Sequence, residues 1–240
     1  MKRLLYFVMV VLAFVPCQAS TNGFSKMKAS DFFASAPAIA LVEAAARGKT
    51  GRIDELLAQG LDVNTTGKDG ITPLIWALLK ENKTGFRHLL AKGAKPNTQV
   101  IQGESALSFA AINSDPDFLR IVLKHGGNPN LVNPRTNQTP IYDSMDHRRF
   151  ENVSVLIKGG ADLNFRNRSG VTPLIRAAAT NQYQVVFEML NAGADPKVKD
   201  IWGKELIYYL KDRDLDPKHE LYRWRAKVIE LLKERGVSVD

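Results

Sequence analysis

A block of residues that returns at a nearly fixed interval constrains the fold of this chain more than any other feature. Gly70-Ile71-Thr72-Pro73-Leu74 is echoed by Gly103-Glu104-Ser105-Ala106-Leu107, Asn137-Gln138-Thr139-Pro140-Ile141 and Gly170-Val171-Thr172-Pro173-Leu174, at steps of 33, 34 and 33 residues, and a degraded copy follows 33 residues on at Gly203. A second block, Gly60-Leu61-Asp62-Val63-Asn64, returns at Gly93, Gly126, Gly160 and Gly193. A step this short predicts a stack of small, similar units, none of which buries its apolar face alone. Such a stack presents a long surface for gripping another molecule.

Each Thr-Pro pair is expected to open a helix. The threonine hydroxyl accepts from a free amide of the first turn, and proline at the first helical position loses no hydrogen bond. Thr72, Thr139 and Thr172 are the expected caps. A second helix follows in each unit, with apolar residues at i, i+3 and i+4, as in Phe86/Leu89/Leu90 and Val186/Met189/Leu190. The glycine of the second block then suits the left-handed conformation that ends a helix.

In motif, spacing and helical period together, residues 37–238 resemble the ankyrin-repeat family. The resemblance implies an all-α ankyrin-repeat solenoid of about six helix-turn-helix units with projecting hairpin loops, at about 37–67, 68–100, 101–134, 135–167, 168–200 and 201–240. The end units depart from the motif, as caps facing water on one side do. The fourth unit departs inside the stack: where its neighbours carry Ala110-Ala111 or Ala177-Ala178, it has Ser144-Met145, followed by Asp146-His147-Arg148-Arg149. That irregularity reads either as a functional site or as drift.

Residues 1–19 are expected to lie outside the repeats. Lys2-Arg3, an unbroken apolar run from Leu4 to Val15 and the small residues before Ser20 form the pattern of a secretory signal, and twelve apolar residues are too few to span a bilayer of about 30 Å. Cleavage after Ala19 removes Cys17, the single cysteine, and leaves no disulfide. Lipidation at Cys17 is the competing reading. Residues 20–36 are expected to be flexible. Without Lys2 and Arg3 the formal charge falls from +8 to +6, with 31 basic residues against 25 acidic. The basic residues are scattered, so nucleic acid is not implied; an acidic partner or an anionic lipid surface is compatible.

Neither a metal nor a cofactor is implied by the sequence. His88, His125, His147 and His219 stand without a Cys or carboxylate cluster at metal-ligand spacing. Asp143 and His147 lie four apart, but no nucleophile elbow or phosphate loop accompanies them. The chain therefore reads as a non-enzyme.

In this family the loop tips and first helices line a concave face, and the residue before each small pair points into it. In register these are Glu43, Trp76, Phe109, Asp143, Arg176 and Tyr209; the loop tips add Val100, Ile101, Val132, Phe165, Ile201 and Trp202. Partner binding is expected at Trp76, Phe109, Asp143, Arg176, Tyr209, Ile101, Phe165 and Trp202, because exposed aromatics carry binding energy. The opposing reading has Trp76 and Phe109 packing the inner helices.

Compact ankyrin proteins bearing a signal resemble periplasmic immunity proteins that neutralise secreted effectors such as type VI phospholipases. The resemblance implies an exported, monomeric module that clasps a cognate effector protein in the periplasm. The alternative is an envelope assembly or stress-protection factor that binds a resident periplasmic protein.

Overall fold

The structure, a computed structural model, describes residues 27–211 and 218–239. The expected signal sequence, the Cys17 alternative and the first part of the 20–36 segment lie outside the described residues, as do residues 212–217. The chain divides into two compact bodies, Met1–Ile101 and Gln102–Asp240.

The first body holds helices α1 (Ala36–Ala46), α2 (Thr50–Ala58), α3 (Pro73–Leu79) and α4 (Lys83–Ala91). The second holds α5 (Ala106–Ile112), α6 (Pro116–Lys124), α7 (Pro140–Asp146), α8 (Phe150–Lys158), α9 (Pro173–Ala179), α10 (Tyr183–Asn191), α11 (Leu206–Leu210) and α12 (Glu220–Glu234). Among the described residues the fold is that of an all-helical solenoid, with two helix pairs in the first body and four in the second. Among the described residues no strand forms, and the loops contribute a single bridge between Asn133 and Gln138.

Local chemistry sets the helix ends. Thr72 and Thr172 cap α3 and α9 by accepting from Ile75 and Ile175 amides at 3.3 and 3.2 Å. Ser105 caps α5 through a box with Ser108. Thr139 does not cap α7. The Tyr142 amide there bonds to the Thr139 carbonyl instead, and the buried Thr139 hydroxyl has no hydrogen-bond partner. Each second helix ends on a glycine with φ between 69° and 94°, from Gly60 to Gly236.

The cores are built from the predicted stripes. Leu41, Ile53, Leu74, Phe86 and Leu89 are fully buried in the first body, as are Leu107, Leu119, Ile141, Leu156 and Val186 in the second. Repeats are also laced by the asparagine of the second block: Asn130 donates to the Gly160 carbonyl and accepts from the Asp162 amide, and Asn64 does the same toward Gly93 and Lys95.

The segment expected to be flexible is folded from Ala29 onward. Ala29–Asp31 forms a 3-10 turn, and Phe32 and Phe33 are buried. The reason is that two adjacent aromatics find a large apolar partner in Trp76, at ring distances of 5.6 and 6.2 Å. The strap is pinned by backbone bonds: the Lys68 amide donates to the Phe32 carbonyl and Lys80 Nζ to the Met27 carbonyl. Gly67 gives it room, since a Cβ there would come within 2.7 Å of the Phe32 oxygen.

The fourth-unit irregularity has a structural cause in its neighbour. Four helix pairs turn through a left-handed residue, at Gly48, Glu81, Arg148 and Asn181; the third pair has Asn113 in extended conformation instead (φ −64°, ψ 147°). The end of α5 thus lacks the backbone bond that seals the others, such as Asn82 amide to Ala77 carbonyl. The fourth unit supplies the missing donors. Ser144 Oγ and Asn152 Nδ2 donate to the Ala111 carbonyl, Asn152 also reaches the Asn113 carbonyl, and Arg149 Nε reaches that of Ile112.

Candidate protein-binding face

In the second body one inner-helix position recurs with partial exposure. Phe109 on α5, Asp143 on α7, Arg176 on α9 and Tyr209 on α11 are half-buried, while Ala110, Ser144, Ala177 and Leu210 behind them are buried. The helical period puts these four on a common register, one per repeat. Four side chains of different chemistry are thereby displayed along a scaffold that does not need them for its core.

Arg176 and Asp146 form a bidentate pair, with Arg176 Nε and Nη2 donating to Asp146 Oδ1 at 2.9 and 2.7 Å and Nη2 also to Oδ2 at 2.8 Å. Burial pushes the Asp143 carboxyl up to about 8, and the Glu104 and Asp146 carboxylates add to the shift. At neutral pH Asp143 is therefore mostly protonated and is a hydrogen-bond donor as well as an acceptor. His147 Nδ1 meets the Asp143 backbone oxygen at 2.9 Å.

Tyr209 donates its hydroxyl to Asp200 Oδ2, and its pKa is pushed up to about 12, by burial first and then by that carboxylate. Burial disfavours the Asp200 carboxylate, but the Tyr209 hydroxyl and the Lys204 and Trp202 amides outweigh it and hold its pKa below the ordinary value.

The remaining expected residues do not join this row. Trp76 is 0% exposed beneath the N-terminal strap, so it is a core residue and not an accessible anchor. Ile101 begins a 3-10 turn, Ile101–Gly103, at the end of the first body. Phe165 is half-buried, its ring 6.4 Å from that of Tyr142, whose hydroxyl donates to the Phe165 and Val171 carbonyls. Trp202 stands 63% exposed at a loop tip beside Ile201 at 60%.

Residues 107–200 match the family described as ankyrin repeats (3 copies). The crystal structure of EF0377, an ankyrin repeat protein, resembles this chain with a TM-score of 0.65 at 25% identity, covering 80% of this chain and 97% of that one. Residues 107–200 are ankyrin repeats, and the fold is that of an ankyrin-repeat solenoid. A stretch of 78 residues is 33% identical to the Homo sapiens protein SH3 and multiple ankyrin repeat domains protein 2; it covers 32% of this chain and 4% of that relative.

In this ankyrin-repeat fold the histidines take structural places: His88 Nε2 meets Asp54 at 2.8 Å, His125 Nδ1 the Ile121 carbonyl at 2.8 Å, and His219 caps α12 by accepting from the Leu221 amide. Among the described residues no group of three or more His, Cys, Asp or Glu is placed to hold a metal ion, and no helix is long and apolar enough to cross a membrane. Repeats of this kind form a protein-interaction module. Exposed Tyr208, Tyr222 and Phe150 escaped the sequence reading, because none falls at the concave register. The Phe32-Phe33 pair escaped it too, although two adjacent aromatics just before a repeat array were a visible signal.

Proposed function

We propose that this chain is an exported immunity protein, acting in the periplasm as a monomer that clasps a secreted effector such as a phospholipase and occludes it. The observation that supports a protein partner is the half-exposed row Phe109, Asp143, Arg176 and Tyr209 on a rigid scaffold. An aromatic, a neutral acid, a paired arginine and a tyrosine supply apolar contact and oriented hydrogen bonds together, the mixture found at binding hot spots. The secretory pattern of residues 1–19 supports the compartment.

The role demands tight binding, since a few free toxin molecules damage an envelope; a nanomolar complex corresponds to about −12 kcal/mol. The test is to capture the partner from the envelope fraction, purify it, titrate it with this chain, and express the two together. The proposal expects a toxic partner whose activity is blocked at a one-to-one ratio. Capture of a non-toxic resident protein overturns the immunity role and assigns an envelope assembly or stress-protection role.

A further inference from the structure

We propose that the loop tips of the second body form a docking surface for an anionic lipid bilayer, an activity separate from the protein-binding face. Three consecutive tips are joined side by side. Arg168 Nη2 donates to the Pro134 carbonyl at 2.9 Å, Arg166 Nη2 to the Lys199 carbonyl at 2.9 Å, and the Ile201 amide to the Ser169 carbonyl at 3.2 Å. These bonds hold the segments around 134, 168 and 201 as one ridge.

The ridge is cationic, and only part of its charge is met from within. Arg135, Arg166, Arg168, Lys197 and Lys199 are exposed on it, and Lys204 is half-exposed. No carboxylate forms an ion pair with Arg135, Arg166, Arg168 or Lys197 among the described residues; Lys199 meets Glu205 at 3.4 Å. Asp200 is buried, and its oxygens are taken by the Trp202 and Lys204 amides and the Tyr209 hydroxyl. Two cations of the same body off the ridge are paired: Arg120 is held between Asp117 and Glu151, and Arg176 by Asp146.

At one end of this ridge stand Ile201 and Trp202, the two most exposed large apolar side chains in the described chain. A tryptophan and an aliphatic at the end of a cationic ridge meet both requirements of interfacial binding: apolar insertion at the headgroup boundary and attraction to negative headgroups. The guanidinium groups suit phosphate oxygens. The side chains of the ridge are not core residues, so the surface is free to change without loss of the fold.

The test is co-sedimentation of the full chain with vesicles of phosphatidylglycerol and phosphatidylethanolamine against vesicles of phosphatidylcholine, with tryptophan emission read in parallel. All variants keep the same apolar N-terminus, so its contribution cancels between them. Each cation near an anionic surface is worth about fivefold in partition; the triple variant Lys197→Gln, Lys199→Gln, Lys204→Gln is expected to lose roughly a hundredfold. Binding should weaken with salt, Trp202→Ala should weaken it without lowering the melting temperature, and the blue shift of emission should vanish in Trp202→Phe. Equal binding to phosphatidylcholine, or unchanged binding by the triple variant, overturns the proposal. Equally tight binding to soluble polyglutamate with no Trp202 shift also overturns it and assigns the ridge to an acidic protein.

Discussion

Asn152 and Ala111 belong to different repeats, yet the Asn152 side-chain amide donates to the Ala111 carbonyl at 2.8 Å and to the Asn113 carbonyl at 2.9 Å. The departure of the fourth unit from the repeat is thus tied to a departure in the third, whose inner helix ends without a left-handed turn. Asn152→Ala removes the donor to the Asn113 carbonyl and one of the two to the Ala111 carbonyl, and is expected to destabilise by about 1–3 kcal/mol. Ser144→Ala, which restores the repeat's alanine, is expected to destabilise by about 1 kcal/mol rather than stabilise. Both donate to the Ala111 oxygen, so each single variant leaves it one donor and the double variant should lose more than the sum. Urea titrations of the three variants decide it; a more stable Ser144→Ala contradicts the capping account.

The N-terminal strap makes Trp76 a folding residue. Trp76→Ala opens a cavity beneath Phe32 and Phe33 and is expected to cost about 3–5 kcal/mol. Phe33→Ala should be costly by the same mechanism. A thermal melt of Trp76→Ala that matches the parent would show that the strap does not pack as described.

Asp143 links stability to pH. An ordinary aspartate titrates near 3.8, and burial pushes this carboxyl up to about 8 in the fold, so the folded state holds the proton more tightly than the unfolded chain. This contribution is fully present below about pH 4 and is lost as pH rises toward 8. Asp143→Asn should flatten that decline and be more stable than the parent at pH 8. Denaturation midpoints at pH 5, 6.5 and 8 provide the check, and an unchanged slope would contradict the shift.

Two threonines with the same sequence role should respond oppositely. Thr72→Val removes a cap and is expected to cost about 1 kcal/mol. Thr139→Val removes a buried hydroxyl that has no partner and is expected to be neutral or stabilising. Equal losses in calorimetric melts would mean that Thr139 caps α7 after all.

The helices were legible because the repeat writes them several times over: Thr-Pro at the starts, apolar stripes in the bodies, glycine at the ends. Phe109, Asp143, Arg176 and Tyr209 were legible because register alone places them. Trp76 was misread for the complementary reason. Its register position is half-exposed in the second body, but in the first it is covered by residues 29–33, which belong to no repeat and give a periodic pattern nothing to detect. The Thr139 exception and the α5 end depend on single backbone choices, and residue type alone does not encode which carbonyl an amide finds.

The central claim, that the inner face of the second body binds a protein independently of folding, is tested most directly by calorimetric titration of the captured partner with Phe109→Ala and Arg176→Gln beside a melt of each. Affinity is predicted to fall by about 1–3 kcal/mol for a central anchor, with melting temperatures close to the parent. Parent-like affinity in both variants would contradict the claim and move the binding face elsewhere; a collapsed melt would return the two residues to the core.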